Sequence, residues 1–189
     1  MFRDNRVVAL LLAAGLVAAY FRYDPAEIFA ATLQDENVTG CDGRTLHLSG
    51  PEAELLRLHN EARIERGIAP LCVQEQLIAV AREHSEDMLS RGYYSHDTPE
   101  GTEPSERVAA GYAYSLMAEN IHMRSASYGK QSAGEMEEVF TDWMESPGHR
   151  ENLLNPALHE VGIGVATGQY GSEPDYTSLY TVDFGTPRQ

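Results

Sequence analysis

The chain has 189 residues, with 29 acidic against 14 basic side chains, a formal net charge of −15. Lys130 is the only lysine, and that balance argues against a nucleic-acid-binding or anionic-membrane-binding face, where clustered Lys and Arg must displace counterions. Two cysteines, Cys41 and Cys72, exclude a disulfide-dense miniature scaffold and a four-thiolate zinc site, and 42% hydrophobic content is enough for one packed core.

Arg3 and Arg6 precede an uncharged apolar run from Val7 to Phe21, which stops at Arg22. As a helix that run covers roughly 22 Å, short of a ~30 Å hydrocarbon core. Residues 1–22 therefore read as an export signal, either cleaved after Ala19 or kept as an N-terminal membrane tether. Residues 23–50 read as a linker, without sustained periodicity and punctuated by Pro25, Gly40, Gly43 and Gly50. Within it, Asn37-Val38-Thr39 is a glycosylation sequon, usable only in a host that glycosylates exported chains.

The body spans residues 51–189. Pro51 stands at a first helical position, Leu55, Leu58 and Ala62 form an apolar stripe, and Gly67 stops the helix. A second helix is predicted from about Gln74 to Arg91, with Leu77, Val80, Ala81, His84 and Met88 on one face and Gly92 as terminator. A third runs from about Ser132 to Glu145, with Met136, Val139, Phe140, Trp143 and Met144 at helical spacing. Val161 to Val165 and Tyr176 to Phe184 read as strands, as does the stretch near Ser115 to Ile121. Helices and short strands mix without βαβ regularity, which predicts an α+β fold.

Seven histidines are present, yet no HExxH zinc-protease motif, no G-x-S-x-G elbow, no P-loop and no dinucleotide fingerprint. What remains is a set of residues read as lying in loops: His96 in Tyr-Ser-His-Asp-Thr-Pro-Glu-Gly, Glu119 in Ala-Glu-Asn, and His149 in Ser-Pro-Gly-His-Arg. Two imidazoles and a carboxylate suit an open zinc site with a water position. The alternative is that each ring is a structural hydrogen-bonding group.

Taken in order, Leu-Arg-Leu-His-Asn-Glu-Ala-Arg (56–63), the His96 string (94–101), Ala-Glu-Asn-Ile (118–121), Trp-Met-Glu-Ser-Pro-Gly-His-Arg-Glu-Asn-Leu-Leu (143–154) and Val-Gly-Ile-Gly-Val (161–165) resemble the prokaryotic branch of the CAP superfamily of cysteine-rich secretory, antigen 5 and pathogenesis-related proteins. The resemblance implies a three-layer α-β-α sandwich with a central antiparallel sheet. It also implies a cleft floored by a His/Glu tetrad, which holds zinc or another divalent cation in some members. Carried over by motif, His96, Glu119 and His149 are three of the four. The fourth position is Ser146 here, with Asp142 one turn earlier and Glu145 one residue away as the neighbouring carboxylates.

The expected function is an exported binding or interaction module, extracellular or at the cell surface. Its cleft would take an unidentified lipid, small-molecule or protein ligand, with no nucleic acid. The alternative is a metal-dependent hydrolase or peptidase using the same cleft, with Glu119 as ligand or general base.

Two further expectations come from the residues themselves. Cys41 and Cys72 are the only intrachain pair, and an oxidising compartment favours closing it, for roughly 3–4 kcal/mol of loop-closure stabilisation. Otherwise Cys72 is a buried thiol and Cys41 is free or lipid-modified. Gly162 and Gly164 alternate with bulky neighbours, which places them on one strand face where a helix backbone or the cleft floor comes close.

Overall fold

The computed structural model describes residues 33–125, 131–173 and 176–188. The N-terminal apolar run and its reading as signal or tether lie outside these. Among the described residues no helix is long and apolar enough to cross a membrane.

Eleven elements follow in order: β1 (Glu36–Thr39), β2 (Thr45–Leu48), α1 (Gly50–Glu65), β3 (Cys72–Val73), α2 (Glu75–Arg91), α3 (Pro104–Ala109), β4 (Tyr114–Ser125), α4 (Ala133–Glu145), α5 (Pro147–Leu153), β5 (Glu160–Gln169) and β6 (Tyr176–Pro187). The main sheet has the order β3-β5-β6-β4. Its three long strands pair antiparallel, and the two-residue β3 adds a parallel edge beside β5. Helices cover both faces, which gives the α-β-α sandwich.

Strand alternation sorts the core. Val161 and Ile163 of β5, with Tyr180, Val182 and Phe184 of β6, pack against Leu55 of α1 and Met136, Val139 and Trp143 of α4. Each large side chain so buried contributes about 1.5–3 kcal/mol. On the opposite face, β5 brings Gly162 and Gly164 against the backbone of α2. A Cβ on Gly162 would lie 2.0 Å from the Leu77 carbonyl carbon, and one on Gly164 would lie 2.2 Å from that of Ala81. The strand touches helix backbone directly, as the glycine alternation predicts.

Residues 36–48, read above as linker, fold instead into the β1–β2 hairpin. Of the glycines that read as linker punctuation, Gly40 and Gly43 belong to its turn, where Gly43 has φ +82°, and Gly50 opens α1. Three attachments dock the hairpin: the Cys41–Cys72 disulfide, an apolar cluster of Leu46, Leu48, Ala53, Val73 and Ile78, and Arg82 of α2. Arg82 reaches the His47 carbonyl at 2.9 Å and the buried Glu52 carboxylate of α1 at 2.5 and 2.8 Å.

Arg63 of α1 is fully buried. Among the described residues no carboxylate pairs with it. Its guanidinium donates to the carbonyls of Ala69, Leu153, Asn155 and Leu158 at 2.8–3.0 Å, closing the C-terminal end of α5, where backbone carbonyls carry partial negative charge.

Candidate functional site

Three segments meet at the free edge of β4. The loop after α2 carries His96, β4 carries Glu119, and α5 carries His149. Only His96 lies in a loop as expected. Glu119 is a strand residue and His149 a helical one. Ser146, with extended backbone at φ −80° and ψ 119°, ends α4, and Pro147 in the first turn starts α5 at once.

Glu119 is almost enclosed, its side chain 2% exposed, whereas the side chain of His96 is 48% exposed. His96 Nδ1 lies 2.8 Å from Glu119 Oε1, and Arg107 of α3 donates to Oε2 at 2.6 Å. A carboxylate can only accept, so Nδ1 carries the proton and the lone pair falls on Nε2. Arg107 also holds the carbonyls of His96 and Thr102 at 2.7 and 3.2 Å, fixing the loop around the ring. The hydrogen bond to Glu119 raises the pKa of His96 above the usual imidazole value, against the opposing effect of burial.

Asn120 turns to the other face of the strand and donates to the His149 carbonyl at 3.0 Å, while Asn152 donates to its side-chain oxygen at 2.9 Å. Burial, and behind it the charge of His96, lowers His149. The two imidazoles are thus electrostatic neighbours around one strand edge. That edge is closed at Ile121, whose carbonyl accepts from Tyr94 Oη at 3.2 Å and Trp143 Nε1 at 3.0 Å.

Of the three residues considered for the fourth position, Ser146 is the junction of α4 and α5, and Glu145 is exposed. Asp142 faces His122, with Oδ2 3.4 Å from Nε2. His122 is held below its ordinary value by burial, which outweighs Asp142.

Sequence reasoning missed the charges behind the site. Asp183 stands directly across from Glu119 in the β4–β6 register. It is fully buried, and neither side-chain oxygen has a hydrogen-bond partner. Burial first, then the charge of Glu119, pushes its carboxyl well above the usual carboxylate range, with Arg107 acting against them. His84 of α2 lies nearby, lowered by burial and with Nδ1 unpartnered. The available signal was a charged residue inside the apolar alternation of Tyr180 to Phe184. Arg107 carried no such signal.

Whether these residues suit a divalent cation turns on their free donor atoms. Glu119 has committed both oxygens, and the Arg107 guanidinium beside it opposes a second positive charge. His96 keeps Nε2, and the His149 ring makes no hydrogen bond among the described residues. The donors of His96, Glu119 and His149 do not all come within 4.8 Å of one another, whereas those of Cys41, Cys72 and Glu160 do. Free donor atoms therefore remain on the two imidazoles, while Glu119 stands behind His96 as the carboxylate that sets its tautomer and plane.

The model of the cysteine-rich secretory protein family, CAP, matches residues 56–184. The chain is similar to the uncharacterized protein YkwD of Bacillus subtilis (strain 168), 34% identical over 118 residues, which are 62% of this chain and 43% of that protein. It is also similar to the uncharacterized membrane protein YlbC of the same organism, 30% identical over 120 residues, 63% of this chain and 32% of that one. The chain thus spans less than half the length of these curated relatives. Among solved structures, an extracellular protein containing an SCP domain from Bacillus anthracis str. Ames superposes with a TM-score of 0.56 at 25% identity, covering 76% of this chain and 46% of that one. An outer surface protein from Borrelia burgdorferi, at 21% identity, shares the fold with a TM-score of 0.58, covering 73% and 93%.

Proposed function

The chain belongs to the CAP, or cysteine-rich secretory protein, family, and from that premise we propose that it is an extracellular binding module whose ligand docks at the His96 and His149 imidazoles. The observation that carries this reading is the His96–Glu119–Arg107 chain: a buried ion pair that engages Nδ1 of a half-exposed ring and leaves its Nε2 uncommitted. A protein interior spends such a network on a group that must be presented in one orientation. Extracellular placement is supported by the disulfide and by two structural neighbours described as an extracellular and an outer surface protein.

A divalent cation is the first ligand to test. His96 Nε2 and His149 would hold it, and Glu119 would act from behind as the positioning carboxylate. When bound, the cation would give the cleft a Lewis-acidic point for a carboxylate, carbonyl or phosphate of a larger ligand. The hydrolase reading has less support. No hydroxyl or thiol among the described residues hydrogen-bonds His96, and the Glu119 carboxylate is too enclosed to reach a water as general base.

The test is a thermal-shift titration with Zn²⁺ on the parent and on His96→Ala with His149→Ala. The parent is expected to gain stability with metal, at about 2.7 kcal/mol when the ion is a hundredfold above its Kd. The double variant is expected to fold and to gain nothing. The gain should fade as pH falls through the imidazole range, starting at His96, whose pKa the Glu119 hydrogen bond raises. Equal shifts in both proteins would refute ligation by these rings.

A further inference from the structure

At the opposite edge of the sheet from the cleft, we propose that Cys41, Cys72 and Glu160 form a binding site for a soft divalent metal ion once their disulfide is reduced. One donor atom from each residue already lies within 4.8 Å of the other two. Two thiolates at about 2.3 Å and a carboxylate oxygen at about 2.0–2.2 Å from Zn²⁺ put the donors roughly 3.5 Å apart, a modest opening of the existing cluster.

The arrangement does not depend on the sulfur–sulfur bond alone. Cys41 donates its backbone N–H to the Val73 carbonyl at 2.8 Å, and Cys72 donates to His159 at 3.0 Å. Cys72 and Glu160 are direct partners in the parallel β3–β5 register. Tyr112, itself buried, donates to Glu160 Oε2 at 2.7 Å, which fixes the carboxylate and leaves Oε1 uncommitted. That is the outer-shell hydrogen bond a ligating carboxylate needs. Beside the cluster is a cavity of about 160 Å³ lined also by Asp42, Gln74 and Glu75, which leaves room for a fourth ligand. Arg44 pairs with both Asp42 and Glu75, at 2.6 and 2.8 Å, so these two carboxylates are already engaged.

A dithiol reductant supplies two electrons and two protons, the S–S bond breaks, and the reductant leaves as its own disulfide. A phosphine with water delivers the same two electrons and two protons and leaves as the phosphine oxide. Metal binding then forms two S–M bonds and one O–M bond and releases the two thiol protons to solvent. In the oxidised protein the sulfurs are committed to each other and the site is closed. The ligand class is a thiophilic divalent ion, zinc first, because two sulfurs select against calcium and magnesium.

The experiment uses the full chain, reduced anaerobically with a phosphine and titrated with Co²⁺ as a spectroscopic probe. Thiolate-to-cobalt charge transfer separates this site from any imidazole site. Expected is a charge-transfer band saturating at one equivalent, displaced by Zn²⁺, and absent from the oxidised parent and from Cys41→Ser with Cys72→Ser. Glu160→Gln should weaken Co²⁺ at least tenfold. The proposal fails if the reduced parent, folded by circular dichroism, shows no such band. It fails equally if Glu160→Gln binds Co²⁺ as tightly as the parent, or if reduction unfolds the chain before metal can bind.

Discussion

On one side of the main sheet, Tyr180, Val182 and Phe184 of β6 interlock with Trp143, Val139 and Met136 of α4 in an apolar layer built from large side chains. One residue along the same strand, Thr181 and Asp183 look the other way, into a layer where Gly162 and Gly164 bring the backbone of α2 against β5. There Ser85 reaches both the Gly164 carbonyl, at 3.0 Å, and Thr181 Oγ1, at 2.9 Å. The first layer is held by volume, the second by contact distance and hydrogen bonds. The second also encloses Glu119, Arg107, Asp183 and His84, the charges behind the site. Such a layer positions Glu119 more firmly than an oily one would, because His96 and Arg107 hold it by hydrogen bonds as well as by shape, whereas Asp183 is held by its enclosure alone. The layer's cost is intolerance of added volume.

The sharpest test of that contrast is Gly162→Val. With a Cβ directed into the Leu77 backbone, the loss should reach or exceed the upper end of the ~1–3 kcal/mol typical of overpacking, since no side chain there can move aside. On the apolar face, Ile163→Val should cost only about 0.5–1.5 kcal/mol. Urea midpoints compare the two, and similar losses would erase the distinction between the layers.

The faces should also answer acid with opposite signs. His59 lies on the apolar side, fully buried against Phe140 and Trp143, and burial lowers its pKa to about 4. Between pH 6.5 and 4 the unfolded chain takes up this proton and the folded one does not, so stability falls by about 3 kcal/mol across that window. Measured from pH 7 down to 4, the stability of His59→Gln should fall less steeply than that of the parent. Parallel slopes would show that His59 is not the group responsible.

Asp183 works in the other direction. Its carboxyl is raised, so above the ordinary carboxylate range the unfolded chain loses this proton before the folded one does, and stability falls as pH rises. Asp183→Asn removes that dependence. It should raise the melting temperature at pH 8 by about 2–4 °C, on the order of 1 kcal/mol, with the gain shrinking toward pH 4. A variant less stable than the parent at pH 8 would mean that Asp183 is better accommodated as an anion than its surroundings suggest.

The contrast between the layers also explains what could be read from sequence. Long apolar stripes marked α1, α2 and α4, and the Gly162/Gly164 alternation marked the close approach, since both patterns repeat over several residues. The short α3 and α5 escaped because six or seven residues contain too few repeats, although Pro104 and Pro147 stand at their starts. The hairpin escaped because turn residues and linker residues are the same types. At the site, His96, Glu119 and His149 were legible through a family resemblance. Arg107 and Asp183 were not, because their meaning depends on a register and a salt bridge that join distant parts of the chain.

The carbonyl cage around Arg63 has a consequence for how this molecule can be watched. Its guanidinium protons are directed at four backbone oxygens inside a fully buried pocket. Deuterium from solvent can replace them when this cage opens, at the end of α5 or at the loops that carry Ala69, Asn155 and Leu158. Arginine side-chain protons ordinarily exchange too fast to follow, so a slowly exchanging guanidinium signal here would act as an intrinsic clock for the opening of the cage in which the helix carrying His149 ends.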